Sequence, residues 1–196
     1  MIYHSIILNF GLSLPDDELQ ELLKNSYPEA SHPSRIAGFY SSRNSLLSNL
    51  RKIYPQASFK NLMISDYREL TDYPDVVLSL SHSPLAGASV VALKKDYLSL
   101  GIDIESIQRE VKESIIQRVT TESDLKLPSR ETWCLKEAIY KCVSNSGLVE
   151  GTLEFKDMVI QDKKWLHSPS QLSGEWRLFS ELDHQVAIAT LKNQNS

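Results

Sequence analysis

Two stretches of the chain carry side chains that could do chemistry together. Gly101-Ile102-Asp103-Ile104-Glu105 sets two carboxylates two residues apart in an apolar run. Trp133-Cys134-Leu135-Lys136-Glu137-Ala138-Ile139-Tyr140-Lys141 sets a carboxylate and a lysine four residues apart in a helical pattern. In a strand, residues i and i+2 project to one face, so Asp103 and Glu105 point together while Ile102 and Ile104 turn into packing. In a helix, positions i, i+4 and i+8 drift little around the axis, so Trp133, Glu137 and Lys141 share a face, with Lys136 and Tyr140 on a neighbouring one. If the two stretches meet, three carboxylates stand beside one ammonium. Such a cluster suits a hard divalent cation bridging to phosphate oxygens, the equipment of a metal-dependent enzyme acting on a phosphorylated substrate. Taken singly, each stretch also has a plainer reading: a solvated acidic strand edge, and a surface Glu–Lys pair worth a few tenths of a kcal/mol.

Two further segments bear on the phosphate. Leu78-Ser79-Leu80-Ser81-His82-Ser83-Pro84 ends an apolar run in a small polar turn with one histidine. Hydroxyls, turn N–H groups and an imidazole are good phosphate ligands. A Ser–His nucleophile pair is disfavoured there, because sequence neighbours seldom have the required side-chain geometry and no acid partner stands out. Arg35 and Arg43 lie eight residues apart on a predicted helix, near one face, where two guanidiniums can clamp a phosphate. Ordinary surface charge would also account for them.

The elements that must position these residues follow from periodicity. Residues 15–26 and 33–52 read as helices, the first opening at Pro15-Asp16-Asp17, the second with Ile36, Phe39, Tyr40, Leu46, Leu47 and Leu50 on its apolar face. Residues 76–80, 88–93 and 97–105 read as strands, expected as an antiparallel meander. Helices are expected near 111–119 and 131–143, then strands near 152–160. A final hairpin is expected, with residues 176–182 and 185–191 joined through Asp183-His184. Helices precede strands twice over. The expected fold is therefore α+β, with two similar lobes related by pseudo-two-fold symmetry, each a mainly antiparallel sheet with packed helices. The lobes would be residues 1–98 and 99–196, with the site at their interface.

Composition narrows the class. At 196 residues, 41% hydrophobic and 23% charged, the chain can build a substantial core. No run approaches the 18 or so apolar residues of a membrane span, and Met1 to Phe10 lacks the basic start of a signal peptide. A net charge of −4 argues against a nucleic-acid partner held by phosphate contacts. The 2 cysteines, Cys134 and Cys142, fall on one predicted helix. Their backbones would lie roughly 12 Å apart, beyond the ~7 Å limit of a disulfide. A reducing, cytoplasmic setting is expected.

Taken together, these segments resemble the 4′-phosphopantetheinyl transferase superfamily, of the monomeric two-lobe kind that includes the surfactin- and enterobactin-activating enzymes. The Gly-Ile-Asp-x-Glu strand is filled by Gly101, Asp103 and Glu105, and the Trp-Cys-x-Lys-Glu-Ala-x-x-Lys helix by Trp133, Cys134, Lys136, Glu137, Ala138 and Lys141. Ser81-His82-Ser83 matches the family's Ser-His turn, Arg35 and Arg43 its arginine helix, and Gly147-Leu148 its Gly-Leu after the lysine helix. The resemblance runs from about residue 30 to the end of the chain.

The resemblance implies transfer of 4′-phosphopantetheine from coenzyme A, the co-substrate, to a serine of an acyl or peptidyl carrier protein, with release of 3′,5′-ADP. Asp103, Glu105 and Glu137 would bind Mg²⁺ or Mn²⁺. Lys141 would contact the phosphates, and Arg35, Arg43, Ser81 and His82 would hold the 3′-phosphate or its neighbours. Glu137 or Glu105 would accept the serine proton, so Glu137, Glu105 and Lys141 are the expected catalytic residues. A monomer is expected, since two lobes could build the site within one chain. The family's Gly-Lys/Arg-Pro-like nucleotide loop is altered here, Ser65-Asp66-Tyr67-Arg68-Glu69-Leu70 lacking its Gly and Pro. The segment between residues 106 and 131 is also short, and the resemblance implies that this stretch helps contact the carrier protein. Two alternatives stay open from the residues alone: a catalytically impaired coenzyme A-binding relative, and a non-enzymatic interaction module.

Overall fold

In the computed structural model the described residues are 1–8, 17–26, 32–65 and 69–193. The first half comprises β1 (Ile2–Leu8), α1 (Asp17–Ser26), α2 (Pro33–Leu50), the short β2 (Ile64–Ser65) and β3 (Glu69–Leu70), β4 (Val76–His82) and β5 (Ala86–Leu93). Next come β6 (Tyr97–Ser106), α3 (Glu113–Val119) and α4 (Ser129–Ser146). The chain then forms β7 (Met158–Gln161), β8 (Lys164–His167), β9 (Leu172–Glu181) and β10 (His184–Lys192). The class is α+β with antiparallel sheets, as expected. Among the described residues no helix is long and apolar enough to cross a membrane.

The strands build a three-stranded sheet ordered β1-β5-β4, a five-stranded sheet ordered β6-β10-β9-β8-β7, and a small β2-β3 ladder. Strand alternation sorts their side chains into layers. Val76, Leu78 and Val91 turn outward onto Leu46, Leu47 and Leu50 of α2. Ala88, Val90, Ile102, Ile104, Val186 and Ile188 meet between the two large sheets. Ala187 and Ala189 turn to the far side, onto Leu135, Ala138 and Ile139 of α4. The order is helix, sheet, sheet, helix, and β6 carries Asp103 and Glu105 on its α4 face.

Three expectations are corrected. β6 does not continue a meander with β4 and β5: β5 already has β1 on one edge and β4 on the other, so β6 pairs with β10 instead. The last hairpin turns at Leu182-Asp183 rather than Asp183-His184, with His184 opposite Glu181. Both turn residues have positive φ (47° and 58°), the conformation a two-residue type I′ connection demands. Finally, the strands expected near 152–160 lie later, as β7 and β8 joined through a tight turn between Gln161 and Lys164.

β6 is an edge strand, so half its backbone N–H groups face away from its own sheet. The Ile102 N–H is satisfied across the seam by Ser79 Oγ of β4 at 3.1 Å. On its other side β6 lies against α4 so closely that a Cβ at Gly101 would fall 1.9 Å from the Ala138 carbonyl oxygen and 2.7 Å from the Cys142 nitrogen. Only glycine lets strand and helix approach this far, which brings their charged side chains within reach of one another.

Candidate active site

The two chemistry-bearing stretches meet. Lys141 reaches back over β6, and its Nζ donates to Asp103 Oδ1 (2.7 Å), the Ile102 carbonyl (3.1 Å) and Ser81 Oγ (3.2 Å). Ser81 Oγ in turn donates to Asp103 Oδ1 at 2.8 Å. Two turns earlier on α4, Trp133 Nε1 donates to Glu105 Oε1 at 3.0 Å. Glu137 lies between them on the same helix face, half-buried, and accepts no hydrogen bond from the described residues. β4, β6 and α4 thus converge on one spot beside the seam between the sheets.

The electrostatics agree with that convergence. Burial, then the neighbouring Asp103, pushes the Glu105 carboxyl above its ordinary range, against the pull of Arg109 and Trp133. Burial, then Asp103 and Glu105, likewise pushes Glu137 up, while Lys141 and Arg109 oppose the shift. For Lys141, burial pulls down, but the Asp103 charge and hydrogen bond and the Glu137 charge outweigh it and hold the ammonium above its usual value. Three carboxylates repel one another here, and the cations present do not fully offset them.

Whether the residues suit a divalent ion turns on Asp103 and on the donor set. Asp103 is 6% exposed, and its Oδ2 is buried with no hydrogen-bond partner among the described residues. A buried carboxylate oxygen left in that state is costly unless something positive meets it. Three hard carboxylates match Mg²⁺ or Mn²⁺ in kind. Among the described residues, however, no three His, Cys, Asp or Glu side chains are grouped as an ion would need. Glu105 is already engaged by Arg109, whose Nη1 donates to both its carboxylate oxygens at 2.5 and 2.6 Å. Arg109 escaped the reading of the sequence; it follows the end of β6 in an irregular stretch, and only its distance from Glu105 could have flagged it.

The phosphate-side residues are distributed as follows. His82 closes β4, and its ring lies against Gly38 of α2, where a Cβ would come within 2.8 Å of the ring. Although His82 keeps an exposed edge, desolvation by the protein around it first, then the charge of Lys141, lowers its pKa; Arg35 and Arg43 lower it further, against Asp103. The arginines and Lys141 therefore act on one imidazole. They are not alike: Arg35 is exposed, whereas Arg43 is 7% exposed with its guanidinium 4.6 Å from the Phe39 ring centroid. Arg68 lies outside the described residues.

Lys136, although part of the same motif, turns away from this site. It is fully buried and pairs with Asp124 at 2.9 Å, while also donating to the Phe155 and Met158 carbonyls. Asp124 completes the hub by accepting from the Thr121 and Ile160 N–H groups, both at 2.7 Å. Tyr140 stacks on Phe155, which stacks on Trp133, with centroids 4.9 and 5.6 Å apart. Both cysteines are free and buried. A cleft of about 810 Å³ opens at the opposite end of the β4–β6 seam, lined by Glu69, Val77, Lys94, Tyr97 and Asn145 among others. None of the site residues lines it.

Residues 99–191 match the model of the 4′-phosphopantetheinyl transferase superfamily. The matched segment contains Asp103, Glu105, Glu137 and Lys141; Arg35, Arg43, Ser81 and His82 precede it. No curated protein matches the chain.

Proposed function

We propose that this chain, whose residues 99–191 match the model of the 4′-phosphopantetheinyl transferase superfamily, transfers 4′-phosphopantetheine from coenzyme A to a serine hydroxyl of an acyl or peptidyl carrier protein. The observation that carries the reading is the reach of Lys141 Nζ, which donates to both Asp103 and Ser81 and so joins the acidic strand, the lysine helix and the Ser-His turn. We take residues 1–98 and 99–196 as two lobes with the site between them, and the working form as a cytoplasmic monomer.

The proposed roles follow from the geometry. Asp103, Glu105 and Glu137 would hold Mg²⁺ or Mn²⁺. Such an ion, when bound, supplies positive charge to the phosphoryl oxygens and the leaving group. Lys141, kept protonated by Asp103 and Glu137, would neutralise developing charge on the same phosphates. Arg35, Arg43, His82 and Ser81 would bind the 3′-phosphate and its surroundings. The carrier serine attacks the β-phosphorus of coenzyme A, the phosphorus–oxygen bond to 3′,5′-ADP breaks, and the serine proton passes to a carboxylate. Glu137 suits that task better than Glu105. Its carboxylate accepts no hydrogen bond from the described residues, which leaves an oxygen available to the serine proton. Glu105 is held by Arg109 and Trp133.

The test is incubation of an apo carrier protein with coenzyme A, Mg²⁺ and this protein, followed by mass spectrometry of the carrier. A gain of one phosphopantetheine per carrier is expected. Calorimetry showing coenzyme A binding without any transfer would instead identify an impaired relative.

A further inference from the structure

A buried hydrogen bond ties the phosphate side of the site to the carboxylate side through two residues that carry no role in the chemistry above. Ser83 opens the turn between β4 and β5, directly after His82, and is 5% exposed; His184 opens β10 and is 1% exposed. Ser83 Oγ and His184 Nε2 lie 2.9 Å apart. The direction of the bond follows from the other partners. His184 Nδ1 lies 2.7 Å from the Leu182 carbonyl, which can only accept, so Nδ1 carries the proton and Nε2 offers its lone pair. Ser83 Oγ already accepts from the N–H groups of Leu85 (3.2 Å) and Ala86 (3.1 Å), so its own hydrogen goes to Nε2. Every polar atom of the pair is matched.

The two ends of this bond belong to different sheets. Ser83 also closes the turn internally, its N–H donating to the Ala86 carbonyl at 2.8 Å. His184 stands opposite Ser106 on β6, and the next residue, Gln185, stands opposite Glu105. The bond therefore fixes the turn that ends in His82 against the sheet that carries Asp103 and Glu105. Four groups bear on His82 (Lys141, Asp103, Arg35 and Arg43), and they come from both sides of the seam, so a shift of the turn would move His82 relative to all of them.

We propose that His184 and Ser83 form a positioning pair that sets the distance between the phosphate-binding turn and the carboxylates, and thereby governs discrimination for the 3′-phosphate of coenzyme A. The inference rests on the transferase reading above. Neither residue touches the reacting atoms; each acts through His82.

The experiment compares binding of coenzyme A and 3′-dephospho-coenzyme A by calorimetry in the wild type, Ser83→Ala, His184→Ala and His184→Gln. The wild type is expected to prefer coenzyme A. Ser83→Ala and His184→Ala should weaken coenzyme A binding about tenfold, the scale of one misplaced charge-assisted hydrogen bond, and leave the dephospho ligand within about twofold. His184→Gln, whose amide oxygen can accept from Ser83, should recover the preference. A purely structural role would weaken both ligands alike, and that result, or an unchanged preference, overturns the proposal. Ser83→Ala, which removes a single hydroxyl, decides the matter if His184→Ala does not fold. A wild type that binds both ligands equally contradicts the positioning role alone, whereas a wild type that binds neither contradicts the transferase reading itself.

Discussion

Glu137 is the residue on which base chemistry and ion binding would converge, and its environment yields a sharp expectation. Its carboxylate is half-buried, crowded by Asp103 and Glu105, and raised in pKa. Glu137→Gln removes a repelled charge at nearly constant shape. Turnover should fall by at least about 100-fold, the usual contribution of a positioned base, while the thermal midpoint of the cation-free protein holds or rises. A large loss of both would make Glu137 structural. His82 gives a pH expectation. Its folded pKa lies below the ordinary histidine value, because of burial first and the charge of Lys141 second. On acidification the unfolded chain binds the proton first, so stability is lost as pH falls from about 6.5 toward the lowered pKa. The thermal midpoint of His82→Asn should fall less steeply than that of the wild type across this window. Identical slopes would show that His82 is not perturbed.

At the scale of elements, the site depends on how near α4 lies to β6, and Gly101 sets that distance. A methyl group there meets the Ala138 carbonyl at 1.9 Å, and backbone cannot swing aside as a side chain can. Gly101→Ala should cost at least about 3 kcal/mol by overpacking, read by chemical denaturation, and should abolish any divalent-ion binding that the folded fraction shows. Lys136 makes the complementary case on the opposite face of α4. Lys136→Met leaves Asp124 buried with its charge uncompensated, an expected loss of about 3–5 kcal/mol. The double variant with Asp124→Asn should recover part of it in a double-mutant cycle, and independent, additive losses would show that the two do not act as a pair.

These elements also mark how far the sequence could be read. The alternation of Asp103 and Glu105 against Ile102 and Ile104 is a local pattern, and so is the period of Trp133, Glu137 and Lys141; both survive in the fold because packing on one face enforced them. What could not be read depends on distant partners. β1 was not anticipated, since Ile2 to Leu8 lacks clean alternation and finds its partner, β5, some eighty residues later. Once β1 occupies that edge, the expected meander has no place for β6. Asp124 and Arg109 lie in irregular segments where no period tells which way a side chain points. His184 was read as a turn residue, one position from its actual place at the head of β10.

For the molecule as a whole, two large sheets packed face to face bring together segments that neither sheet carries alone. The family-matched residues 99–191 supply the carboxylates and Lys141, while the Ser-His turn and the arginines come from the chain before them. If Asp103, Glu105 and Glu137 hold an ion as proposed, activity should depend on added metal, because Lys141 and Arg109 otherwise occupy Asp103 and Glu105. Activity should disappear with EDTA and return with excess Mg²⁺ or Mn²⁺, and persistence after exhaustive chelation would remove the carboxylates from that role. The most direct measurement is the mass of an apo carrier protein after incubation with coenzyme A, Mg²⁺ and this chain. The account predicts addition of one phosphopantetheine with the wild type and almost none with Asp103→Asn or Glu137→Gln. A carrier left unmodified by the folded wild-type protein across a panel of acyl and peptidyl carriers, or modified equally well by both variants, would contradict it.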